Sequence, residues 1–144
     1  VDEEIESLKL YLDIEKVRFG DRLTLHFAVT PQAAKALMPS LLLQPLVENS
    51  IKYAVSQAVG GGSIAVAASI EGNHLQLVVA DDGPGLDLRQ GRLPRGGGVG
   101  LANTRERLVE IYGDAQSFRL TGTEPHGLTI TIRLPVSYAT EEAA

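Results

Sequence analysis

Residues 64–80 read IAVAASIEGNHLQLVVA, and this stretch decides the fold. Residues 64–70 and 75–80 are rich in apolar and β-branched side chains, a composition that is typical of strands. Between them, Glu71-Gly-Asn-His74 contains the Gly and Asn that tight turns favour. The stretch therefore predicts an antiparallel hairpin within a sheet.

Further elements surround this hairpin. Apolar spacing predicts helices over residues 2–17, from 39 or 40 to 57, and 99–112, and strands over residues 23–29, 117–121 and 128–134. The side chains predicted to face inward from the helices are Ile5, Leu8, Leu12, Leu43, Leu46, Val47, Ser50, Ala54, Leu101, Leu108 and Ile111. Three strands are hairpin-like neighbours, which favours a mixed, mostly antiparallel sheet over a doubly wound parallel one. We expect an α+β fold, a two-layer α/β sandwich with helices on one face.

The composition is that of a packed domain with an acidic surface. Of the 144 residues, 44% are hydrophobic and 22% are charged, and the formal net charge is −5. This charge argues against nucleic-acid binding, because phosphate contacts need a surplus of Lys and Arg. The chain has no Cys, which excludes disulfides and Cys metal sites and suits a cytoplasmic location. Its apolar runs are shorter than the roughly 18 to 20 residues of a membrane span, so we expect no direct membrane contact.

Three polar or glycine-rich clusters lie at the ends of predicted elements. The first is on the second helix, where Glu48 lies one turn from Lys52 and Asn49 one turn from Tyr53. An acid, an amide, an amine and an aromatic ring thus share one broad face. Taken alone, this pattern is more typical of a solvated helix face with one ion pair.

The second cluster, Asp81-Asp-Gly83-Pro-Gly85, directly follows an apolar strand. A carboxylate at a strand end can accept a hydrogen bond from an exocyclic amine, and the glycines let a flat ligand approach the backbone. Taken alone, the Asp-Gly and Pro-Gly pairs favour a simple turn.

The third cluster places Gly96, Gly98 and Gly100 at the start of the third predicted helix. Backbone N–H groups at such a helix start form a cradle for phosphate. A flexible linker is the alternative, but linkers seldom continue directly into a well-patterned helix.

Together, the order and spacing of the three clusters resemble the GHKL ATPase superfamily (gyrase, Hsp90, histidine kinases and MutL), and within it the histidine kinases. The first cluster resembles the N box of that family, and the other two resemble its two glycine boxes. The sequences GLANTRERLVEIYG at residues 100–113 and LYLDIE at residues 10–15 are similar to those of LytS-type kinases. The resemblance covers nearly the whole chain and implies the Bergerat fold with a Gly-rich ATP lid.

The resemblance implies a role for each matching residue. Asp81 would bind the adenine amino group, Asn49 would hold Mg²⁺ between the phosphates, and Lys52 would meet phosphate oxygens. Tyr53 would pack near the adenine, and Glu48 would assist proton removal or polarise the acceptor. Glu48, Asn49 and Lys52 are thus the implied catalytic residues, with ATP and Mg²⁺ as cofactors. The other implied cofactor-binding residues are Gly83, Gly85, Gly96, Gly98, Gly100, Leu101, Arg105 and Thr129.

The implied activity is that of a histidine protein kinase, in which this chain supplies only the ATP-binding catalytic part. It would donate the γ-phosphoryl group to a histidine on a separate dimerisation domain. His26, His74 and His126 all lack the helical setting of such an acceptor. The implied partners are that domain, in a homodimeric parent, and a response regulator of the LytTR type. The alternative is a non-catalytic, nucleotide-responsive binding or dimerisation module of the GHKL type.

The domain organisation follows from the same resemblance. Residues 1–20 would be the end of a helix from the dimerisation domain, residues 21–136 the ATP-binding domain, and residues 137–144 a disordered tail. Because the sequence begins inside a predicted helix, we expect a fragment of a longer protein, the cytoplasmic part of a sensor that is membrane-anchored or soluble.

The chain departs from the family pattern near residue 127 and lacks several rival motifs. The family usually opens its last strand with Gly-Thr, whereas this chain has Gly127-Leu, with Thr129 one step later. The dinucleotide-binding pattern Gly-x-Gly-x-x-Gly fails, because its sixth position is Leu101 or Leu88. No Lys follows a Gly, which excludes a Walker P-loop, and neither Gly-x-Ser-x-Gly nor His-Glu-x-x-His occurs.

Overall fold

A computed structural model of the chain describes residues 1–20, 23–39, 42–51, 62–82, 98–122 and 127–138. In chain order the elements are α1 (Asp2–Phe19), β1 (Leu23–Val29), α2 (Pro31–Lys35), α3 (Gln44–Ser50), β2 (Gly62–Glu71), β3 (His74–Asp81), α4 (Gly98–Tyr112), β4 (Ser117–Gly122) and β5 (Leu128–Pro135). A short 3-10 helix, Gly113–Ala115, follows α4. None of the described helices is both long and apolar enough to cross a membrane.

The five strands form one mixed sheet in the order β1-β2-β3-β5-β4. β1 is parallel to β2, and the other three neighbouring pairs are antiparallel, which confirms the predicted mixed, mostly antiparallel sheet. The predicted hairpin is confirmed, since β2 and β3 pair from Ile64 opposite Asp81 to Glu71 opposite His74. Gly72 in its turn has a φ of 61°, which glycine adopts without steric cost.

One face of the sheet forms the core with the helices. Along β3, Leu75, Leu77 and Val79 are buried while the residues between them are half-buried, as expected for a strand with one covered face. The cover consists of Ile5, Leu8, Leu12, Leu42, Leu43, Leu46, Val47, Ile51 and Leu108. The predicted two-layer sandwich is therefore confirmed, and α1 packs into the same core as the sheet.

The region of the second predicted helix differs from the prediction at its start. α3 begins at Gln44 instead of residue 39 or 40, because Pro45 lacks an N–H and fits only the first turn of a helix. An unpredicted helix, α2, begins after Thr30, whose Oγ1 accepts a hydrogen bond from the Ala33 amide at 3.2 Å. Thr before Pro31 is a helix-start signal in the sequence. Residues 52–57 of the predicted helix lie outside the described residues.

The inward stripe of α4 also differs from the prediction in one position. Thr104 and Leu108 are buried one turn apart, and the next residue at that spacing, Tyr112, is half-buried. Ile111 lies to one side of this line and is 51% exposed, so its predicted inward position is wrong. Gly113 ends α4 with a φ of 59°, as the sequence predicts.

The expected disordered tail does not start at residue 137. The Ser137 carbonyl accepts a hydrogen bond from the Leu37 amide at 2.8 Å, and Tyr138 forms an isolated bridge with Ala36. These backbone pairs hold the first two residues of the segment, because the exposed backbone after α2 offers them partners. Residues 139–144 lie outside the described part of the chain.

Candidate functional site

A buried carboxylate lies where α3 meets the end of β3. Asp81, the last residue of β3, is 7% exposed. Its Oδ2 accepts a hydrogen bond from the Ser50 hydroxyl at 3.0 Å, and its Oδ1 accepts one from the Leu128 backbone N–H at 3.2 Å. Since these donors belong to α3 and β5, the carboxylate joins three elements and is held in one orientation.

Gly127 explains why β5 approaches Asp81 so closely. Its φ is 131°, and a Cβ at this position would overlap the backbone oxygen of Asp81. A side chain here would push the start of β5 away, and the Leu128 N–H with it. Gly127 and Ser50 are therefore residues of the site that the motif comparison did not assign.

Asn49 lies beside Ser50 on α3 and is only 9% exposed. Its Oδ1 is buried and has no hydrogen-bond partner among the described residues. An unpaired buried amide oxygen costs about 1–3 kcal/mol, so it requires a partner such as a water molecule, an ion or a ligand. An amide oxygen is a ligand that Mg²⁺ accepts. The side chain thus fits the metal-holding role that the sequence resemblance implies.

Glu48 lies on the outer side of α3, where it is exposed and accepts a hydrogen bond from the Gln44 side-chain amide at 3.1 Å. The α1 helix runs close by. Burial, followed by the negative charges of Glu15 and Glu48, raises the pKa of Tyr11 to about 12. The Glu48 carboxylate is therefore exposed, and it does not share the buried position of Asn49.

Gly98, Gly100 and Leu101 of the third cluster lie in the first turn of α4, a helix that packs beside α3. The first N–H groups of an α-helix have no partner within the helix, so this turn offers donors to an anion. Lys52, Tyr53, Gly83, Gly85 and Gly96 lie outside the described residues.

Arg105 is not brought to Asp81. Its guanidinium carbon lies 5.3 Å from the centre of the Phe118 ring on β4. Phe118 pairs with Ile132, and Leu128, opposite Asp81, lies four residues earlier on β5. Four residues correspond to about 13 Å along a strand. Arg105 therefore does not contact the Asp81 carboxylate, and its cofactor-binding role stays a prediction.

Thr129 is likewise separated from the Asp81 side chain. It follows Leu128 in β5, and Leu128 pairs with Asp81 on the covered face. Successive strand residues point to opposite faces, so the half-buried Thr129 side chain lies on the other face of the sheet. The β5 group that contacts the Asp81 carboxylate is the Leu128 N–H, and the cofactor-binding role of Thr129 stays a prediction.

Comparison with known proteins identifies this arrangement. Residues 35–138 match the family described as histidine kinase-, DNA gyrase B-, and HSP90-like ATPase. The sensor histidine kinase BtsS of Escherichia coli strain K12 is 37% identical over 134 residues, which cover 92% of this chain and 23% of that protein. The sensor protein LytS of Staphylococcus haemolyticus is 31% identical over 142 residues, covering 92% and 24%. The chain spans about a quarter of the length of these relatives.

Solved structures share the fold. The catalytic domain of histidine kinase ThkA superposes with a TM-score of 0.71 at 14% identity, covering 96% of this chain and 95% of that chain. The mycobacterial sensor histidine kinase MprB superposes with a TM-score of 0.65 at 23% identity, covering 94% and 95%. The five-stranded sheet and its helical layer are thus the fold of histidine kinase catalytic domains.

Proposed function

This chain belongs to the family of histidine kinase-, DNA gyrase B- and HSP90-like ATPases, and from that premise we propose that it binds Mg²⁺-ATP and donates the γ-phosphoryl group to a histidine. The observation that carries the proposal is the pair of neighbours Asn49 and Ser50. One has a buried oxygen without a hydrogen-bond partner in the described residues, and the other orients the Asp81 carboxylate. The proposed metal ligand, Asn49, is therefore linked to the proposed adenine-binding carboxylate, Asp81, through Ser50 on α3.

Asp81 is the group proposed to recognise the adenine. A carboxylate that already accepts hydrogen bonds from Ser50 and Leu128 acts as an acceptor, and the exocyclic amine of adenine is the complementary donor. Its fixed orientation means that binding does not have to order this side chain. Tyr53, Gly83 and Gly85 are proposed to complete the adenine contacts on the grounds of the family resemblance.

Asn49 is proposed to hold the Mg²⁺ ion. The described residues contain no cluster of three or more His, Cys, Asp or Glu side chains arranged to hold a metal. This suits a Mg²⁺ ion that takes one or two protein ligands and completes its shell with phosphate oxygens and water. When bound, the ion neutralises charge on the phosphates during transfer. Lys52 and the first turn of α4 are proposed to bind the same phosphates.

Glu48 is proposed to assist the acceptor histidine by removing its proton or polarising it. Its exposure suits this role, because the acceptor belongs to a separate dimerisation domain and must approach from outside. We further propose a homodimeric, cytoplasmic kinase or kinase portion that passes the phosphoryl group to a response regulator. The similarity to a LytS protein supports a regulator of the LytTR type.

Phosphorylation in trans tests the proposal. A separately produced dimerisation segment of the parent protein is incubated with this chain and γ-labelled ATP. We expect label on the acceptor histidine with the wild-type chain and much less with Asn49→Ala. ATP binding without any transfer would contradict the kinase proposal and favour a nucleotide-responsive binding or dimerisation module.

A further inference from the structure

A second buried carboxylate lies at the start of α3, away from the proposed nucleotide site. Glu4 on α1 is 8% exposed, and its Oε2 accepts a hydrogen bond from the Leu43 backbone N–H at 2.9 Å. Leu43 is the residue that precedes α3, and its carbonyl accepts the first helical bonds from Leu46 and Val47. Because Leu43 provides no side-chain cap, α3 takes its N-terminal acceptor from another helix.

Burying the Glu4 carboxylate carries a cost in folding free energy. Glu4 lies among core residues of α1, and its Oε1 is buried without a hydrogen-bond partner in the described part of the chain. Burial raises the pKa of Glu4, against the opposing effects of the Leu43 and Leu42 amides, the N-terminal ammonium group and Arg107. Replacing a buried charged group with a well-packed apolar one is often neutral or stabilising. What the Glu4 carboxylate does provide is a fixed acceptor for the Leu43 N–H.

The geometry set by Glu4 is that of α3. Asn49 lies six residues after Leu43, a distance of about 9 Å along a helix, within two turns of the same rigid element. A shift of the helix start is therefore carried to Asn49 and Ser50. The Glu48 charge on α3 also contributes to the raised pKa of Tyr11 on α1.

We propose that Glu4 is a positioning residue of the nucleotide site, which fixes the start of α3 and thereby the Asn49 oxygen. This inference rests on the proposed role of Asn49 as a Mg²⁺ ligand. It makes α1 a structural determinant of metal affinity, since a displacement of α1 moves the acceptor that holds Leu43.

Three variants test this role. Glu4→Leu removes the acceptor with little change in volume, Glu4→Gln retains an acceptor oxygen, and Glu6→Leu changes an exposed Glu on the same helix. ATP affinity is measured by calorimetry with saturating Mg²⁺ and with EDTA. We expect Glu4→Leu to reduce the strengthening by Mg²⁺ about tenfold, the low end for loss of a group that orients a metal ligand. Glu4→Gln and Glu6→Leu should resemble wild type. An unchanged Mg²⁺ effect in Glu4→Leu would overturn the proposal, whatever happens to its melting temperature.

Amide hydrogen exchange in the wild-type chain supplies a test without a variant. Coupling between two sites is reciprocal, so Mg²⁺-ATP should slow exchange at Leu43. The matched control is the Ala33 amide, which also bonds to a side-chain oxygen but at the start of α2. Equal changes at the two amides would overturn the proposal.

The two proposals fail in different ways. If the wild-type chain binds no ATP, the proposed function is wrong, and the role of Glu4 is then judged from exchange without ligand. Glu4→Leu should accelerate exchange at Asn49 and Ser50 relative to β2 amides. Unchanged exchange at these α3 amides would refute the positioning role independently of ATP.

Discussion

The substitution Asp81→Asn tests whether the Asp81 carboxylate binds nucleotide or only stabilises the fold. The two side chains are nearly equal in volume, but the amide has one acceptor oxygen where the carboxylate has two. The Leu128 N–H can only donate, so the amide oxygen should stay opposite it and the amide nitrogen should replace Oδ2. The Ser50 hydroxyl can then reverse and accept, so the fold retains both hydrogen bonds.

The expected loss of folding stability is therefore small, and the expected loss of ATP affinity is larger. Replacing a charged acceptor with a neutral one should lower the free energy of unfolding by about 1 kcal/mol. The adenine amine, in contrast, would meet an amide nitrogen that also donates. Loss of a hydrogen bond to a charged group costs about 2 kcal/mol, which corresponds to about 30-fold in Kd.

Isothermal titration calorimetry with ATP measures this difference, and Asp82→Asn is the matched control. Asp82 is the next residue, a half-buried carboxylate whose Oδ1 accepts a hydrogen bond from the Ser63 N–H at 2.8 Å. Only Asp81→Asn should weaken binding. If its Kd equals that of wild type, or if both variants weaken binding equally, the assignment of Asp81 to the adenine is refuted.

Three further predictions follow from single contacts. Asn49→Ala should abolish the strengthening of ATP binding by Mg²⁺, which we expect to be about tenfold or more in wild type. It should lower the free energy of unfolding by less than about 1 kcal/mol, because the Asn49 oxygen has no described partner. An unchanged Mg²⁺ titration would contradict this. Gly127→Ala should lower the free energy of unfolding in urea by about 3 kcal/mol or more, because its Cβ would overlap the Asp81 backbone. Gly72→Ala, which has open space around it, should lower the same free energy by only about 1 kcal/mol. Equal losses would refute the steric argument. Burial raises the pKa of Glu4 above 4.5, so the folded chain binds this proton more tightly than the unfolded chain, and stability should fall as the pH rises through that raised pKa. Glu4→Gln should flatten this part of the pH profile of urea unfolding, and an unchanged profile would contradict the assignment.

Much of the fold is predictable because local patterns and tertiary packing agree. The alternate residues of β2, β3 and β5 all meet one apolar layer, so strand positions and the hairpin follow from periodicity. Ile5, Leu8 and Leu12 are buried as their spacing predicts. The start of α3 depends on Pro45, and the missed α2 depends on Thr30 before a proline, so both were recoverable from local signals.

The site was only partly predictable because several of its contacts carry no local signature. Ser50 is predicted to face inward, but its partner Asp81 lies 31 residues away. The Leu128 donor is a backbone group, which any residue except proline provides. The family motif suggested Thr129, but its side chain lies on the face of the sheet opposite to the Asp81 side chain. Which face it takes follows from the pairing of β5 with β3. Glu4 interrupts an apolar helix stripe, a signal that becomes interpretable only when Leu43 is found beside it.

The central claim is that the chain binds ATP through Asp81 and, with Mg²⁺, through Asn49. Equilibrium dialysis with labelled ATP, with and without Mg²⁺ and with GTP as competitor, tests it most directly. We expect saturable binding that Mg²⁺ strengthens in wild type but not in Asn49→Ala. We also expect weak competition by GTP, which has a carbonyl where adenine has its amine. Absence of saturable ATP binding, or equal competition by GTP, would contradict it.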